Sequence, residues 1–391
     1  MTCNSYRILQ LLPTLSQGGA ELYVLRLTKL QVDGPMKPVV CSFLQGGPVE
    51  ELLHKGRVPL ELLNLPRNSI RNPFKALRDW RRIYKAVKKT ATDHQIDLIQ
   101  THLSDSDWLG LMVGRALNIP VVLTFHSSKL IPPERDPREL RSRLRMALQS
   151  KFYRRADALI AVGTEVRNSL LKFPGVIPKK VHLIPSAIEI PPKPSLERKK
   201  EMQARFTEIR SGQSPILAAV GRLVPSKGHD RLIESMPTLL KELPDARLWI
   251  IGDGPEMENL ASLIKQKGLE NSVCLLGGRT DVPELLAAAD IFVTGTHREG
   301  LGLATAEGMA AGLPAVGFKV TGIVDIIAHE VNGLLLEDGD LVGFAHAIVQ
   351  LQENPELAKA MGIAGRKTAD AFDVRHSREK TEAVYRGLLE A

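Results

Sequence analysis

The stretch HREGLGLATAEGMAAGLPAVGF, residues 297–318, holds a loop, a short helix and the entry to a strand. Leu303 to Ala311 are good helix formers, closed by Gly312 and then Pro314. Gly300 and Gly302 stand just before that helix, between the carboxylates Glu299 and Glu307. Unpaired backbone N–H groups at a helix start, together with the helix dipole, favour an anion such as a phosphate. The same letters also fit a tight strand-to-helix loop on an ordinary buried helix, where glycine is only punctuation. The surrounding chain has to decide between the two.

Upstream of this stretch, Ile291 to Val293, Val273 to Leu276, Arg247 to Ile251 and Ile216 to Val220 read as short buried strands. Helices are expected between them over 228–243, 256–267 and 282–288. Downstream, Ala315 to Phe318 and Gly333 to Leu336 continue the strands, and 341–352, 355–371 and 375–390 read as helices. The N-terminal half has the same alternation. Strands are expected at 7–12, 39–43, 60–65, 98–102, 121–126, 158–162 and 181–184, with a helix from Ala20 and an amphipathic one over 74–90. In the latter, Leu77, Trp80, Tyr84 and Val87 share one face, and Arg78, Arg82, Lys85 and Lys89 another. Short apolar strands alternating with helices predict an α/β fold of doubly wound parallel sheets. EIPPKPSLERKK, residues 189–200, breaks the pattern with three prolines and a charge run, and is the expected linker. The domains expected are therefore 1–190 and 191–374, with 375–391 as a closing helix. Two Rossmann-like domains facing a central cleft would present ligands to the C-terminal ends of their strands.

Composition limits the function classes. Three scattered cysteines, Cys3, Cys41 and Cys274, make no metal cluster or disulfide framework. No apolar run approaches the ~20 residues of a membrane span, and MTCNSYRILQLLP lacks the build of a secretory signal, so a cytoplasmic location is expected. The net charge of +8 is uneven: residues 1–190 hold 29 Lys and Arg against 16 Asp and Glu, whereas 191–391 hold 23 against 28. The basic half is a candidate for meeting something anionic. Its basic segments carry no aromatic stacking series, which argues against nucleic acid as a partner. Arg138, Arg141 and Arg145 share a helical face within 135–155, opposite Leu140, Leu144 and Leu148. That pattern suits peripheral contact with an anionic membrane surface and equally a solvated helix face.

Four further sites fall at strand ends. Gly18-Gly19 precedes a helix, so a diphosphate or a closely approaching sugar fits there, as does a structural turn. Arg222 and Lys227 follow the strand 216–220, where two cations would neutralise a leaving diphosphate. Asp253, in the turn Gly252-Asp253-Gly254-Pro255, is a candidate donor-binding residue and equally suits a turn hydrogen bond. His126 ends the strand 121–125 and suits a substrate hydroxyl or a structural hydrogen bond. Asp105-Ser106-Asp107 has the letters of a metal-binding pair but is expected in an irregular stretch, so no metal is assigned. Nor do Glu299 and Glu307 suit a glycosidase pair. If both were helical, eight residues would separate them by ~12 Å, beyond the roughly 5–9.5 Å such mechanisms use.

Together these residues resemble the retaining glycosyltransferases of family 4, which have the GT-B fold. The resemblance is most specific in GRLVPSKGHD (221–230), GDGPE (252–256), REGLGLATAEGMAAGLPAV (298–316) and NGLLLEDGD (332–340). It implies a metal-independent hexosyltransferase, with no cofactor, using a UDP- or GDP-sugar and a saccharide or lipid-linked acceptor in surface polysaccharide or glycolipid synthesis. It implies that Glu299 binds hydroxyls of the donor sugar and Glu307 the ribose. Arg222 and Lys227 would hold the diphosphate, helped by backbone N–H groups of Gly300, Leu301, Gly302 and Leu303. Gly18 and Gly19 would lie against phosphate or sugar, and His126 against the hydroxymethyl end of the sugar. The closing helix of the family commonly crosses back onto the N-terminal domain, a role open to residues 375–390. Three positions depart from the family pattern: Pro185-Ser186-Ala187-Ile188-Glu189 lacks its Asn-Gly turn, Asp325 stands where Glu is usual, and Gly308 replaces an alanine. An epimerase on the same fold is the alternative activity, and a basic nucleic-acid binder the alternative class.

Overall fold

The computed structural model describes residues 5–16, 18–65, 73–126, 140–191, 197, 201 and 215–390. It falls into two compact units, residues 1–187 with 374–391, and residues 188–373. The expected linker lies mostly outside the described residues. So do Arg138 and the side chains of Arg141 and Arg145.

In the first unit the chain runs β1 (Tyr6–Thr14), α1 (Gly19–Gln31), β2 (Met36–Gln45), α2 (Val49–Lys55), β3 (Leu60–Leu62) and α3 (Pro73–Asp93). It continues through β4 (Leu98–His102), α4 (Ser104–Leu117), β5 (Val121–Phe125), α5 (Leu140–Arg155), β6 (Ala158–Ala161), α6 (Thr164–Leu171) and β7 (Val181–Leu183). All seven strands are parallel, in the order β3-β2-β1-β4-β5-β6-β7. The order reverses between β1 and β4. At such a switch point neighbouring loops diverge and leave room for a ligand beyond the strand ends.

β1 is buried on both faces, which is why its sequence is a near-continuous apolar run. Alternate residues face opposite layers. Leu9 and Leu11 pack with Val39, Ile83 and Leu109 on the side of α3 and α4. Leu12 packs with Tyr23, Val24 and Leu27 of α1. Gln10 shares the α1 face, which matters for the site below. On α3 the buried stripe runs through Ile83 and Val87 with Trp80 and Tyr84 half-buried, and Leu77 is exposed rather than part of it. The exposed face carries Arg78, Arg82, Lys85 and Lys89. Asp105-Ser106-Asp107 is not irregular but opens α4, where acidic groups complement the helix dipole.

The second unit comprises β8 (Ile216–Val220), α7 (His229–Glu242), β9 (Arg247–Ile251), α8 (Met257–Gln266), β10 (Val273–Gly277), α9 (Val282–Ala288) and β11 (Ile291–Thr294). Then follow α10 (Leu303–Ala310), β12 (Ala315–Phe318), β13 (Gly333–Leu336), α11 (Leu341–Glu353) and α12 (Pro355–Ala369). Its six parallel strands run β10-β9-β8-β11-β12-β13, reversing between β8 and β11. Trp249, Phe292, Phe318 and Phe344 anchor one continuous core, the last two rings stacked with centroids 5.0 Å apart. Both units are Rossmann-like, the α/β class expected.

The last helix, α13 (Val374–Leu389), belongs to the first unit. Its Tyr385 is fully buried against Ile8, Met36, Leu98, Val122 and Ile160.

Candidate active site

In the second unit Lys227 and Glu299 meet at the switch point. Lys227 ends a short 3-10 turn, Pro225–Lys227, after β8, and Glu299 stands in the loop between β11 and α10. Their side chains form an ion pair. Two backbone devices hold these loops together. Gly228 has φ +59°, and a Cβ there would lie 2.0 Å from the carbonyl oxygen of Gly295, so only glycine allows the approach. The Gly322 equivalent, at φ +84°, would lie 2.4 Å from the carbonyl oxygen of Glu299. Glu299 N donates to Thr321 O at 2.9 Å, and Thr296 Oγ1 donates to Ser226 O at 3.0 Å. The Lys227 and Glu299 loops are thereby tied by backbone as well as by charge.

α10 begins at Gly302, which is its N-cap at φ +63°, and has no acidic residue in its first turn. Its first-turn N–H groups therefore present positive potential that no acid of that turn offsets, beside Lys227 and Glu299. Lys227, Glu299, Ala304 and Thr305 line one small cavity. Glu307 lies further along α10, half-buried; Gly300 is half-buried and Leu301 buried. Arg222 is exposed directly after β8, so it reaches solvent at the same strand end. Asp253 is exposed and its carboxylate accepts from Gly254 N at 2.7 Å, closing its own turn. His229, beneath the Lys227 loop, is pushed down to about 4 by burial and then by the neighbouring lysine charge, so it stays neutral.

Sequence reading missed Arg231. This side chain is buried, donates to Asp338 at 2.6 Å and to Gly295 O at 3.2 Å, and lies 3.9 Å over the Phe318 ring. It braces the loop that leads to Glu299. Gly308 also gains a reason: a Cβ there would lie 2.3 Å from the Phe292 ring, so the large ring and the missing methyl go together.

In the first unit Gly18 is the N-cap of α1 and Gly19 its first residue. Here the first turn does hold an acid. Glu21 is buried, accepts from Ser16 Oγ at 2.6 Å, and lies so close that a Gly18 Cβ would be 2.5 Å from its carboxylate. The helix start is thus partly compensated, which suits a sugar hydroxyl better than a phosphate. His126, half-buried just past β5, meets Nδ1 of His102 through its Nε2 at 3.0 Å. His102 ends β4, and its Nε2 is 2.8 Å from Gln10 Oε1. The Tyr23 ring lies edge-on to His126, centroids 5.4 Å apart. Burial holds His126 down at about 4, and burial with the second imidazole holds His102 well below the usual range. Both rings are neutral at pH 7. The readable signal for His102 was its place as a polar residue ending a buried strand.

Comparison with known proteins joins the two halves. The family model for glycosyltransferase family 4 matches residues 17–190, and that for group 1 glycosyl transferases matches 201–368. The chain is 29% identical to a putative glycosyltransferase, EpsD, of Bacillus subtilis (strain 168), over 79% of this chain and 81% of that one. It is 26% identical to UDP-Gal:alpha-D-GlcNAc-diphosphoundecaprenol alpha-1,3-galactosyltransferase of Escherichia coli, over 89% and 88%. Among solved structures, Anabaena Alr3699/HepE in complex with UDP-glucose superposes with a TM-score of 0.81 at 23% identity, covering 98% of this chain and 100% of that one. Sucrose-phosphate synthase from Thermosynechococcus elongatus does so at 0.77 and 20%, covering 98% and 99%.

Proposed function

The chain belongs to the family 4 glycosyltransferases of GT-B fold, and on that premise we propose that it is a retaining, metal-independent hexosyltransferase using a UDP- or GDP-sugar. It transfers the sugar to a hydroxyl of a saccharide or lipid-linked acceptor in polysaccharide or glycolipid synthesis. The supporting observation is the Lys227–Glu299 ion pair beside the acid-free start of α10. A donor's diphosphate takes the position that Lys227 and the N–H groups of Gly300 to Leu303 address, and Arg222 closes on it from solvent. Glu299, released from its lysine, accepts hydroxyls of the sugar, and Glu307 accepts those of the ribose. Gly18, Gly19 and His126 are the sugar ligands proposed in the first unit, and Asp253 keeps the turn after β9.

The chemistry follows from charge. The bond between the anomeric carbon and the diphosphate oxygen breaks as a bond to the acceptor oxygen forms on the same face. The acceptor's proton passes to the leaving phosphate oxygen. Charge-assisted hydrogen bonds contribute roughly 1.5–3 kcal/mol each, so Lys227, Arg222 and the helix start supply a large share of the stabilisation of the leaving group.

Thermal-shift screening against UDP-, GDP- and ADP-sugars identifies the donor, since a ligand at about 100 times its Kd stabilises by ~2.7 kcal/mol. NMR of the product then shows the anomeric configuration of the donor retained, with a rate unchanged by EDTA. An inverted product, or a rate abolished by EDTA, refutes the mechanism. The basic face of α3 supports peripheral contact with an anionic membrane, at about 1 kcal/mol per Lys or Arg. Co-sedimentation with vesicles tests it: binding indifferent to anionic lipid and salt rules the contact out.

A further inference from the structure

We propose that His102 is a positioning residue which, held by Gln10, fixes His126 in the tautomer protonated at Nε2 and leaves Nδ1 as an acceptor for a sugar hydroxyl. The proposal rests on the reading of His126 as a sugar ligand given above.

Parallel register sets these groups side by side. Gln10 on β1 pairs with Gln100 on β4, and Gln100 with Val122 on β5, so side chains near the strand ends share one layer. From the site inward, His126 meets His102 at 3.0 Å and His102 meets Gln10 Oε1 at 2.8 Å. Gln10 Nε2 donates to the Tyr385 hydroxyl at 3.1 Å, and that hydroxyl donates to Gln100 Oε1. Gln100 Nε2 in turn donates to Thr124 Oγ1 at 2.7 Å. Gln10, Gln100, His102 and Tyr385 are fully buried, so water offers them no alternative partners.

The protons can be followed along this chain. A carbonyl oxygen only accepts, so Gln10 Oε1 requires the N–H of His102 on Nε2. A neutral imidazole has one N–H, which leaves His102 Nδ1 as an acceptor. Its partner, His126 Nε2, must then carry the proton, and His126 Nδ1 keeps its lone pair. Burial keeps both rings neutral, and at about 4 His126 is a weak base at neutral pH. Its role is therefore to accept and orient a hydroxyl rather than to remove a proton. Turning both glutamine amides over would reverse every bond and protonate His126 at Nδ1, so tautomer is the quantity to measure.

The test is a long-range 15N–1H correlation spectrum of the full chain labelled in histidine, at pH 7, with His126→Ala to assign its signals. The expected wild-type spectrum shows His126 protonated at Nε2. His102→Asn, which offers an oxygen near the position of Nδ1, retains that tautomer and most of the rate. His102→Leu, which removes the acceptor, gives mixed tautomers and lowers kcat/KM for the donor roughly tenfold. Wild-type protonation at Nδ1, or an unchanged tautomer in His102→Leu, overturns the proposal; the wild-type spectrum decides even if a variant does not fold. A merely structural role would lower Tm in both variants without separating Asn from Leu in the His126 signals. If the tautomer is as expected but His126→Ala turns over normally, the sugar-ligand reading fails and only the tautomer stands.

Discussion

Two helices start on glycine at the switch points of the two sheets, and their first turns differ. α1 has Glu21 folded over its own N-terminus and neutral imidazoles nearby. α10 has no acid in its first turn and an ion pair at its mouth. The backbone device is the same in both, so side chains decide which ligand group each can take. A helix start already answered by a carboxylate has little attraction left for phosphate, whereas an unanswered one beside a lysine attracts it strongly. The first unit is equipped for hydroxyls, the second for charge.

The sharpest way to break this contrast is to remove the cation. Lys227→Ala is expected to lower kcat by about 10²–10³, as losing one preorganised donor to a developing negative charge does; steady-state kinetics with saturating donor reads it. A loss below threefold would remove the second unit's claim to the diphosphate. Acid is the next lever, because it forces charge onto the neutral groups of the first unit. His126 has a folded pKa of about 4, below its unfolded value near 6.5. The unfolded chain thus binds more protons between those values, and stability falls as pH drops from about 6.5 to 4 and levels off below. The loss should be about 3 kcal/mol, read by urea unfolding at stepped pH, and smaller in His126→Asn. His229 adds a loss of the same sign in the second unit.

Smaller changes interconvert the two helix starts. Ala304→Asp gives α10 the acidic first turn of α1 and should weaken donor binding about fivefold, or ~1 kcal/mol, measured by calorimetric titration. Glu21→Gln removes the charge from α1 while keeping an acceptor for Ser16. It should change donor affinity less than about threefold if, as proposed, the second unit holds the phosphate. A tenfold gain would show that α1 takes a phosphate after all.

Much of this architecture was legible because buried parallel strands read as apolar runs ended by glycine or a polar group. Leu98–His102, Ile216–Val220, Arg247–Ile251, Ala315–Phe318 and Gly333–Leu336 stand where the sequence placed them. α4 was not legible at its start: Ser104 and Asp105 look like loop residues, and their value as a first turn appears only once the helix behind them is packed. Leu77 lies at the angle of Tyr84 yet is exposed, because periodicity gives an angle but not whether a neighbour covers it. In the site, Lys227 and Glu299 could each be picked out by chemistry, yet their pairing across 72 positions is a property of the β8–β11 neighbourhood. The His102 bond to Gln10 spans 92 positions and has no local sequence signal at all. Gly308 was readable as an oddity, but its explanation sits in Phe292, on the strand before.

The return of α13 to the first unit sets a timetable for the nascent chain. Residues 1–187 are synthesised before the second unit, yet the apolar face formed by Ile8, Met36, Leu98, Val122 and Ile160 has no Tyr385 to cover it until α13 is made. At about 5–20 residues per second, the stretch from the second unit through α13 takes roughly 10–40 s to appear. The second unit is contiguous and can close within that interval. Of the two units, the one begun earlier is therefore the one completed later, and for those seconds this apolar face stays bare.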